Sequence, residues 1–177
     1  FTHFGKTFHE LNGRTWGILG LGAIGRRVAD IAKLFGANVI YYSASGAPAQ
    51  EGYHQVDFDT LLGESDILSI HAPLNEHTEG IMNADAFRKM KNTAILLNTG
   101  RGPIIREADL ADALNADEIR AVGLDVLCKE PMAEDCPLLR VKDKERLFIT
   151  PHIAWAAVEA RQRLMKIIAG QIREFIG

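Results

Sequence analysis

The sequence predicts an α/β fold, a doubly wound parallel sheet with helices on both faces. Short apolar runs of strand length alternate with segments of helical periodicity. A glycine-rich turn, Gly20-Leu21-Gly22-Ala23-Ile24-Gly25, joins the first run to the first helix. Apolar residues are 47% of the 177, enough for one domain with a sizeable core.

The elements follow in order. Residues 1–14 are polar and read as a linker entering the domain. Thr15-Trp16-Gly17-Ile18-Leu19 is an apolar run that reads as a buried strand. Ala23 to Phe35 carries Ile24, Val28, Ile31, Ala32 and Phe35 at helical spacing, and Gly36 ends that helix. Asn38 to Tyr42 is the next strand. Asp59 to Gly63 reads as a short helix and Asp66 to Ile70 as a strand. Asn83 to Met90 is helical with Asn83 as its cap, and Thr93 to Asn98 is a strand. Glu107 to Asn115 is helical, Ala121 to Asp125 extended, and Leu147 to Thr150 the last strand. Val158 to Ile176 is a long amphipathic helix with Val158, Leu164, Met165, Ile168, Ile172 and Phe175 on one side. The chain thus divides into a domain over 15–154 and a C-terminal helix within 155–177.

Charge and cysteines exclude several function classes. A net charge of −3 argues against nucleic acid or an anionic membrane as partner. No apolar run approaches the roughly 20 residues of a membrane span. Cys128 and Cys136 fit no zinc spacing, so no metal site is expected. They read as reduced thiols of a cytoplasmic protein.

The glycine turn has a specific physics. Gly20 makes the tight turn after the strand, Gly22 lets the backbone approach a pyrophosphate, and Gly25 lets the helix lie close to the sheet. The first residues of the helix, Ala23 and Ile24 with Gly25, bring free N–H groups and a positive dipole end to the phosphates. The strand–glycine turn–helix–strand context makes this a Rossmann-type dinucleotide-binding unit, in three α/β/α layers. An acidic residue usually ends the second strand and binds the adenosine ribose. Ser43 stands there, followed by Ala44-Ser45-Gly46, with neither a carboxylate to repel a 2′-phosphate nor an arginine to bind one. NAD and NADP both stay open, and Ser43 is either a selective residue or an ordinary turn residue.

Three residues carry the chemistry. Arg101 lies in Asn98-Thr99-Gly100-Arg101-Gly102, Glu130 in Gly123 to Pro131, and His152 in Thr150-Pro151-His152-Ile153-Ala154-Trp155. Singly, each has an ordinary structural reading as a solvated cation, a loop carboxylate or a turn histidine. Together they follow the C-terminal ends of three successive strands, where open α/β sheets bind ligands. A cation, a carboxylate and an imidazole behind a dinucleotide loop are the parts needed to reduce a 2-keto acid.

With these motifs, and with His71-Ala72-Pro73-Leu74 between them, the chain resembles the nucleotide-binding domain of the D-isomer-specific 2-hydroxyacid dehydrogenases. The resemblance implies that Arg101 binds the substrate carboxylate, His152 is the acid/base and Glu130 pairs with it. It places Asp125 on the nicotinamide side. It assigns cofactor contacts to Gly20, Gly22, Ala23, Ile24, Gly25, Ser43, His71, Pro73, Thr99 and Gly100. It further implies a homodimer, supported by apolar helix faces around residues 82–114, and a separate substrate domain outside this chain, without which turnover is poor. A dinucleotide-sensing corepressor on the same fold is the alternative from another class.

Three features sit beside that pattern. Arg106 stands where such chains commonly have an Asp or Asn capping the next helix, which weakens the cap. Cys128 and Cys136 match no functional position and read as packing or loop residues. Trp155 resembles the glycerate dehydrogenase and hydroxypyruvate reductase branch. It either limits substrate size, favouring hydroxypyruvate or glyoxylate, or packs at the start of the last helix.

Overall fold

The computed structural model describes residues 8–177; residues 1–7, half of the expected linker, lie outside the described residues. Seven parallel strands form one sheet: β1 (Thr15–Leu19), β2 (Asn38–Tyr42), β3 (His54–Gln55), β4 (Ile67–Ile70), β5 (Ile95–Asn98), β6 (Ala121–Leu124) and β7 (Leu147–Ile149). Their spatial order is β3-β2-β1-β4-β5-β6-β7. The chain winds outward from β1 to β3 and then returns to lay β4 on the other side of β1. That reversal leaves a crevice beyond the C-terminal ends of β1 and β4, the place where such sheets hold ligands.

Alternation along the strands sorts the side chains to two faces. Leu19 of β1 and Ile40 of β2 join the larger core with α2 (Phe58–Glu64), α3 (Ala84–Lys89) and α4 (Glu107–Asn115). Leu61, Leu62, Phe87 and Leu110 from these helices are fully buried, each contributing roughly 1.5–3 kcal/mol of transfer free energy. Ile18 and Tyr41 point the other way, into a smaller cluster under α1 (Ala23–Leu34).

The expected helices and major strands are present, with α4 and α5 (Val158–Ile176) at the expected bounds. Asn83 caps α3 by accepting from the Ala86 N–H at 3.1 Å. Gly36, at φ +79°, ends α1 through two bonds, Ala37 N–H to Ala32 O and Gly36 N–H to Lys33 O. Arg106 sits at the N-cap of α4 without a side-chain bond, the weak cap the sequence implies. The edge strand β3 is not apparent from the sequence, since two residues carry no periodicity.

Two expectations about apolar faces are corrected. The stripe assigned to α1 is split: Ala32 is buried with Gly25 and Ala29 against the sheet and Val28 packs beside them, but Ile24, Ile31 and Phe35 are more than half exposed. Small residues win that face because the helix lies close; a Cβ on Gly25 would stand 2.3 Å from Gly20 O. The large apolar residues around 82–114 are interior: Met82, Phe87, Leu110 and Leu114 belong to the main core, and no large hydrophobic of that segment is exposed. Helix α5 is amphipathic as expected, yet none of its residues is buried.

Candidate active site

The glycine turn leaves room where a phosphate would enter. Gly20 has φ +94°, and a Cβ there would meet the Ala72 backbone at 2.6 Å, so β1 and the segment after β4 touch through it. Gly22 differs: a Cβ there would meet nothing within 4 Å. The space over Gly22 is open, and α1 begins directly beneath it with no acidic residue in its first turn and no side-chain cap. The N–H groups at this end and the positive end of the helix dipole are therefore available to an anion. Ala23 and Ile24 are exposed on this rim.

Around the crevice stand the other expected cofactor residues. The His71 N–H donates to Leu19 O at 2.8 Å, fixing it beside the end of β1. Its Nε2 is buried and has no hydrogen-bond partner among the described residues. Burial pushes the imidazole pKa down, which favours the neutral ring. An orphaned ring nitrogen beside an open anion cradle fits a polar ligand in the crevice. Pro73 is exposed, and its carbonyl accepts from Thr78 Oγ1 at 2.6 Å. Ser43 closes β2, with Oγ 3.0 Å from Ser45 Oγ. It lines a polar pocket with Tyr42, Gln55, Asp57 and Thr60, and no Lys or Arg lines that pocket.

Arg101, Glu130 and His152 are brought to one end of the sheet by three loops. Asn98, fully buried at the end of β5, shapes the first: its Oδ1 accepts from Gly100 N–H and its Nδ2 donates to Arg101 O, both at 3.0 Å. Thr99 and Arg101 are exposed on that loop, and Arg101 Nη1 donates to Gly100 O at 2.8 Å. Gly102 is buried, and a Cβ on it would lie 2.0 Å from the Leu127 carbonyl. The Arg101 loop is therefore pressed against the Leu127–Glu130 loop with no space for a side chain between them.

Glu130 is held at both oxygens. Oε1 accepts from Leu127 N–H at 2.9 Å, and Oε2 lies 2.8 Å from His152 Nδ1. The Leu127 N–H, then the bond to His152, hold its carboxyl below the usual carboxylate range. His152 has φ +53°, a left-handed conformation that costs a non-glycine residue roughly 1–2 kcal/mol. Asp125, Leu127, Glu130, Pro131, Met132, Thr150 and His152 line a pocket of about 560 Å³.

Asp125, which the resemblance places on the nicotinamide side, lines this pocket and also holds the neighbouring loop. It is 6% exposed and directs its carboxylate at the loop after β7. Oδ1 accepts from Thr150 Oγ1 at 2.5 Å and Ile153 N–H at 2.8 Å, and Oδ2 from Ala154 N–H at 2.8 Å. Burial pushes its carboxyl up, but the Thr150 bond, the two N–H donors and the charge of His152 outweigh it and leave it below the usual range.

Trp155 does not pack as a core residue. Its indole N–H donates to His152 O at 2.9 Å and the residue is 55% exposed. Sequence reasoning gave Asn98 and Thr150 no role, though each shapes a loop here. The signal for Asn98 was available: an Asn two residues before a Gly favours a side-chain turn. Thr150 has no such local signature, because its partner is 25 residues away. The two thiols lie near Glu107: Cys128 N–H donates to its Oε1 at 2.7 Å and Cys136 Sγ lies 3.6 Å from its Oε2. Burial and the Glu107 charge push the Cys128 thiol up to about 11, and burial raises Cys136, so both favour the protonated, unreactive form. No cluster of metal-binding side chains occurs among the described residues. No helix among them is long and apolar enough to cross a membrane.

Comparison with known proteins shows the family. Residues 2–154 match the family model described as D-isomer specific 2-hydroxyacid dehydrogenase, NAD binding domain. Over 169 residues the chain is 45% identical to a hydroxypyruvate reductase of Blautia hydrogenotrophica, covering 94% of this chain and 52% of that protein. A glyoxylate reductase from Paecilomyes thermophila superposes with TM-score 0.84 at 38% identity, over 96% of this chain and 52% of that one. An acyclic imino acid reductase in complex with NADPH and D-Arg superposes with TM-score 0.87 at 34% identity, over 99% and 56%. The chain spans about half the length of the curated relatives it matches. It belongs to the D-isomer specific 2-hydroxyacid dehydrogenases, as their NAD binding domain.

Proposed function

We propose that this chain supplies the dinucleotide site and the acid/base pair of an oxidoreductase that interconverts a small D-2-hydroxy acid and its 2-keto acid. The 2.8 Å contact between His152 Nδ1 and Glu130 Oε2, at the strand ends where ligands bind, carries the reading. The unit doing this is residues 15–154, with the C-terminal helix α5, none of whose residues is fully buried, beyond it.

Bound in the crevice, NADH or NADPH would give a hydride to the keto acid, and NAD or NADP would take one from the hydroxy acid. Gly20, Gly22, Ala23, Ile24 and Gly25 hold its pyrophosphate, Ser43 meets the adenosine ribose, and His71, Pro73, Thr99 and Gly100 line the crevice beyond. Arg101 grips the substrate carboxylate and polarises the carbonyl; its planar fork suits both tasks. Because Nδ1 of His152 is engaged by Glu130, Nε2 is the atom left to face substrate. In reduction, protonated His152 gives the Nε2 proton to the carbonyl oxygen as negative charge develops there. In oxidation, neutral Nε2 takes the hydroxyl proton. Glu130 fixes the ring and stabilises the imidazolium.

Hydroxypyruvate and glyoxylate are the proposed substrates, supported by the names of the relatives and by the indole beside His152. A keto acid held against this one wall stays open to water, and the relatives are about twice as long, so the 177 residues by themselves should turn over poorly. We place the enzyme in the cytoplasm as a homodimer, on family resemblance. The test is reduction of hydroxypyruvate and glyoxylate by the native gene product with NADH and with NADPH, with sedimentation for the oligomer. Dinucleotide binding without turnover of any 2-keto acid would favour a sensing protein instead.

A further inference from the structure

We infer that Asp125 is the positioning residue for His152: its buried carboxylate clamps the Thr150–Ala154 loop and holds His152 in the left-handed conformation that aims its ring at Glu130. The inference rests on the proposed role of His152 and assigns Asp125 a task distinct from cofactor contact. Three donors from the loop converge on this one carboxylate: the Thr150 hydroxyl, the Ile153 N–H and the Ala154 N–H. They bracket His152 on both sides along the chain. Asp125 is itself fixed, since it directly follows β6 and its N–H donates to Asn98 O at 2.9 Å.

The clamp answers a physical need. A histidine at φ +53° persists only where its surroundings over-determine it. Within the loop, His152 N–H donates to Thr150 O at 3.0 Å and Trp155 Nε1 donates to His152 O at 2.9 Å. Both bonds are local and travel with the loop if it moves. The bonds to Asp125 tie the loop to the sheet across 25 to 29 residues of sequence. Ionised Asp125 has acceptor sites for all three donors with one to spare, whereas an amide presents two donors of its own. Asp125 thus acts through the backbone of His152, and Glu130 acts on its ring.

The test uses Asp125→Asn and Thr150→Val, examined without any ligand by amide hydrogen exchange and by ¹⁵N spectra of the His152 ring. In the parent, Nδ1 should carry the proton in the neutral ring, because it faces the Glu130 carboxylate. In Asp125→Asn, exchange at Ile153 and Ala154 should quicken about tenfold or more while Leu97 and Val122 stay protected. The His152 ring should shift towards a mixture of its two neutral tautomers. Thr150→Val, which removes one of the three donors and keeps the shape, should move both readouts in the same direction by less. NADH affinity of both variants should stay within about threefold of the parent if the clamp is the main role. Unchanged loop exchange and ring spectra in folded Asp125→Asn overturn the clamp, and a large loss of NADH affinity with them returns Asp125 to the cofactor. If Asp125→Asn fails to fold, Thr150→Val decides: an unmoved tautomer signature there overturns the inference. None of these readouts needs turnover, so the clamp can fail while the dehydrogenase reading stands, and the reverse.

Discussion

His152 Nδ1 lies 2.8 Å from Glu130 Oε2, although 22 residues separate them and they hang from different strands. The side chains are 40% and 37% exposed, so as an ion pair they stabilise the fold by about 0–1 kcal/mol at most. Such a pair contributes little by holding the protein together. Its consequence is directional: the engaged nitrogen fixes the ring and leaves Nε2 as the nitrogen that Glu130 does not hold.

His152→Ala in the native gene product should therefore remove roughly 10²–10⁴-fold of turnover and leave NADH affinity nearly intact. Calorimetry separates the two effects, and loss of dinucleotide binding would make His152 structural. Glu130→Gln keeps the shape and removes the charge. Keto-acid reduction should then fall off at lower pH than in the parent, and hydroxy-acid oxidation should suffer less. The folded Glu130 carboxyl lies below its usual range, so its stabilisation is present above the unfolded value near 4.3 and is lost as pH falls through the folded one. Urea titrations should show a shallower acid limb in Glu130→Gln than in the parent.

Gly22 and Gly25 should separate fold from binding. A side chain on Gly22 meets nothing within 4 Å, so Gly22→Val should melt near the parent temperature yet lose dinucleotide affinity, because its methyls fill the phosphate space. A side chain on Gly25 collides with Gly20 O, so Gly25→Val should lower stability by about 1–3 kcal/mol or more as well. Thermal melts beside NADH calorimetry check both. Unchanged NADH affinity in Gly22→Val would move the pyrophosphate elsewhere.

The fold was largely legible because strand–helix alternation and the glycine turn are local signals, which is why α4 and α5 have the expected bounds. The face of α1 was legible only in part. Val28 and Ala32 of the expected stripe do meet the sheet side, but Ile24, Ile31 and Phe35 do not, because close approach selects small residues. At the site, Arg101, Glu130 and His152 were legible by type and by their place after strands. The backbone of His152 and its tie to Asp125 were not, since a left-handed histidine and a contact across 28 residues leave no local pattern.

Ser43 tests the choice of cofactor. No carboxylate stands at the end of β2, where Ser43 Oγ lies 3.0 Å from Ser45 Oγ. The parent should bind NADH and NADPH with weak discrimination, or lean towards NADPH. Ser43→Asp should weaken NADPH relative to NADH by about tenfold or more, because a carboxylate near a 2′-phosphate is repelled by several kcal/mol before screening. Fluorescence titrations with both dinucleotides give the ratio. A parent that already rejects NADPH strongly would show that another group, such as the Asp57 carboxylate lining this pocket, does the selecting.

Gly102 should be the most sensitive small residue of the site. Its buried position against the Leu127 carbonyl and Cys128 N–H leaves no room even for a methyl, and both neighbours are backbone and cannot swing aside. Gly102→Ala must push the Arg101 loop away from the loop that carries Glu130. The strain should cost about 1–3 kcal/mol of stability. The displacement should cost more in function, since a shift near 1 Å at a substrate-positioning group can lower turnover by about 10²-fold. The loss should appear largely in the keto-acid KM and kcat, through Arg101, while NADH affinity holds, because the glycine turn under α1 is untouched. A Gly102→Ala enzyme that folds with parent stability and parent kinetics would show that the two loops need not touch for Arg101 and the Glu130–His152 pair to work together.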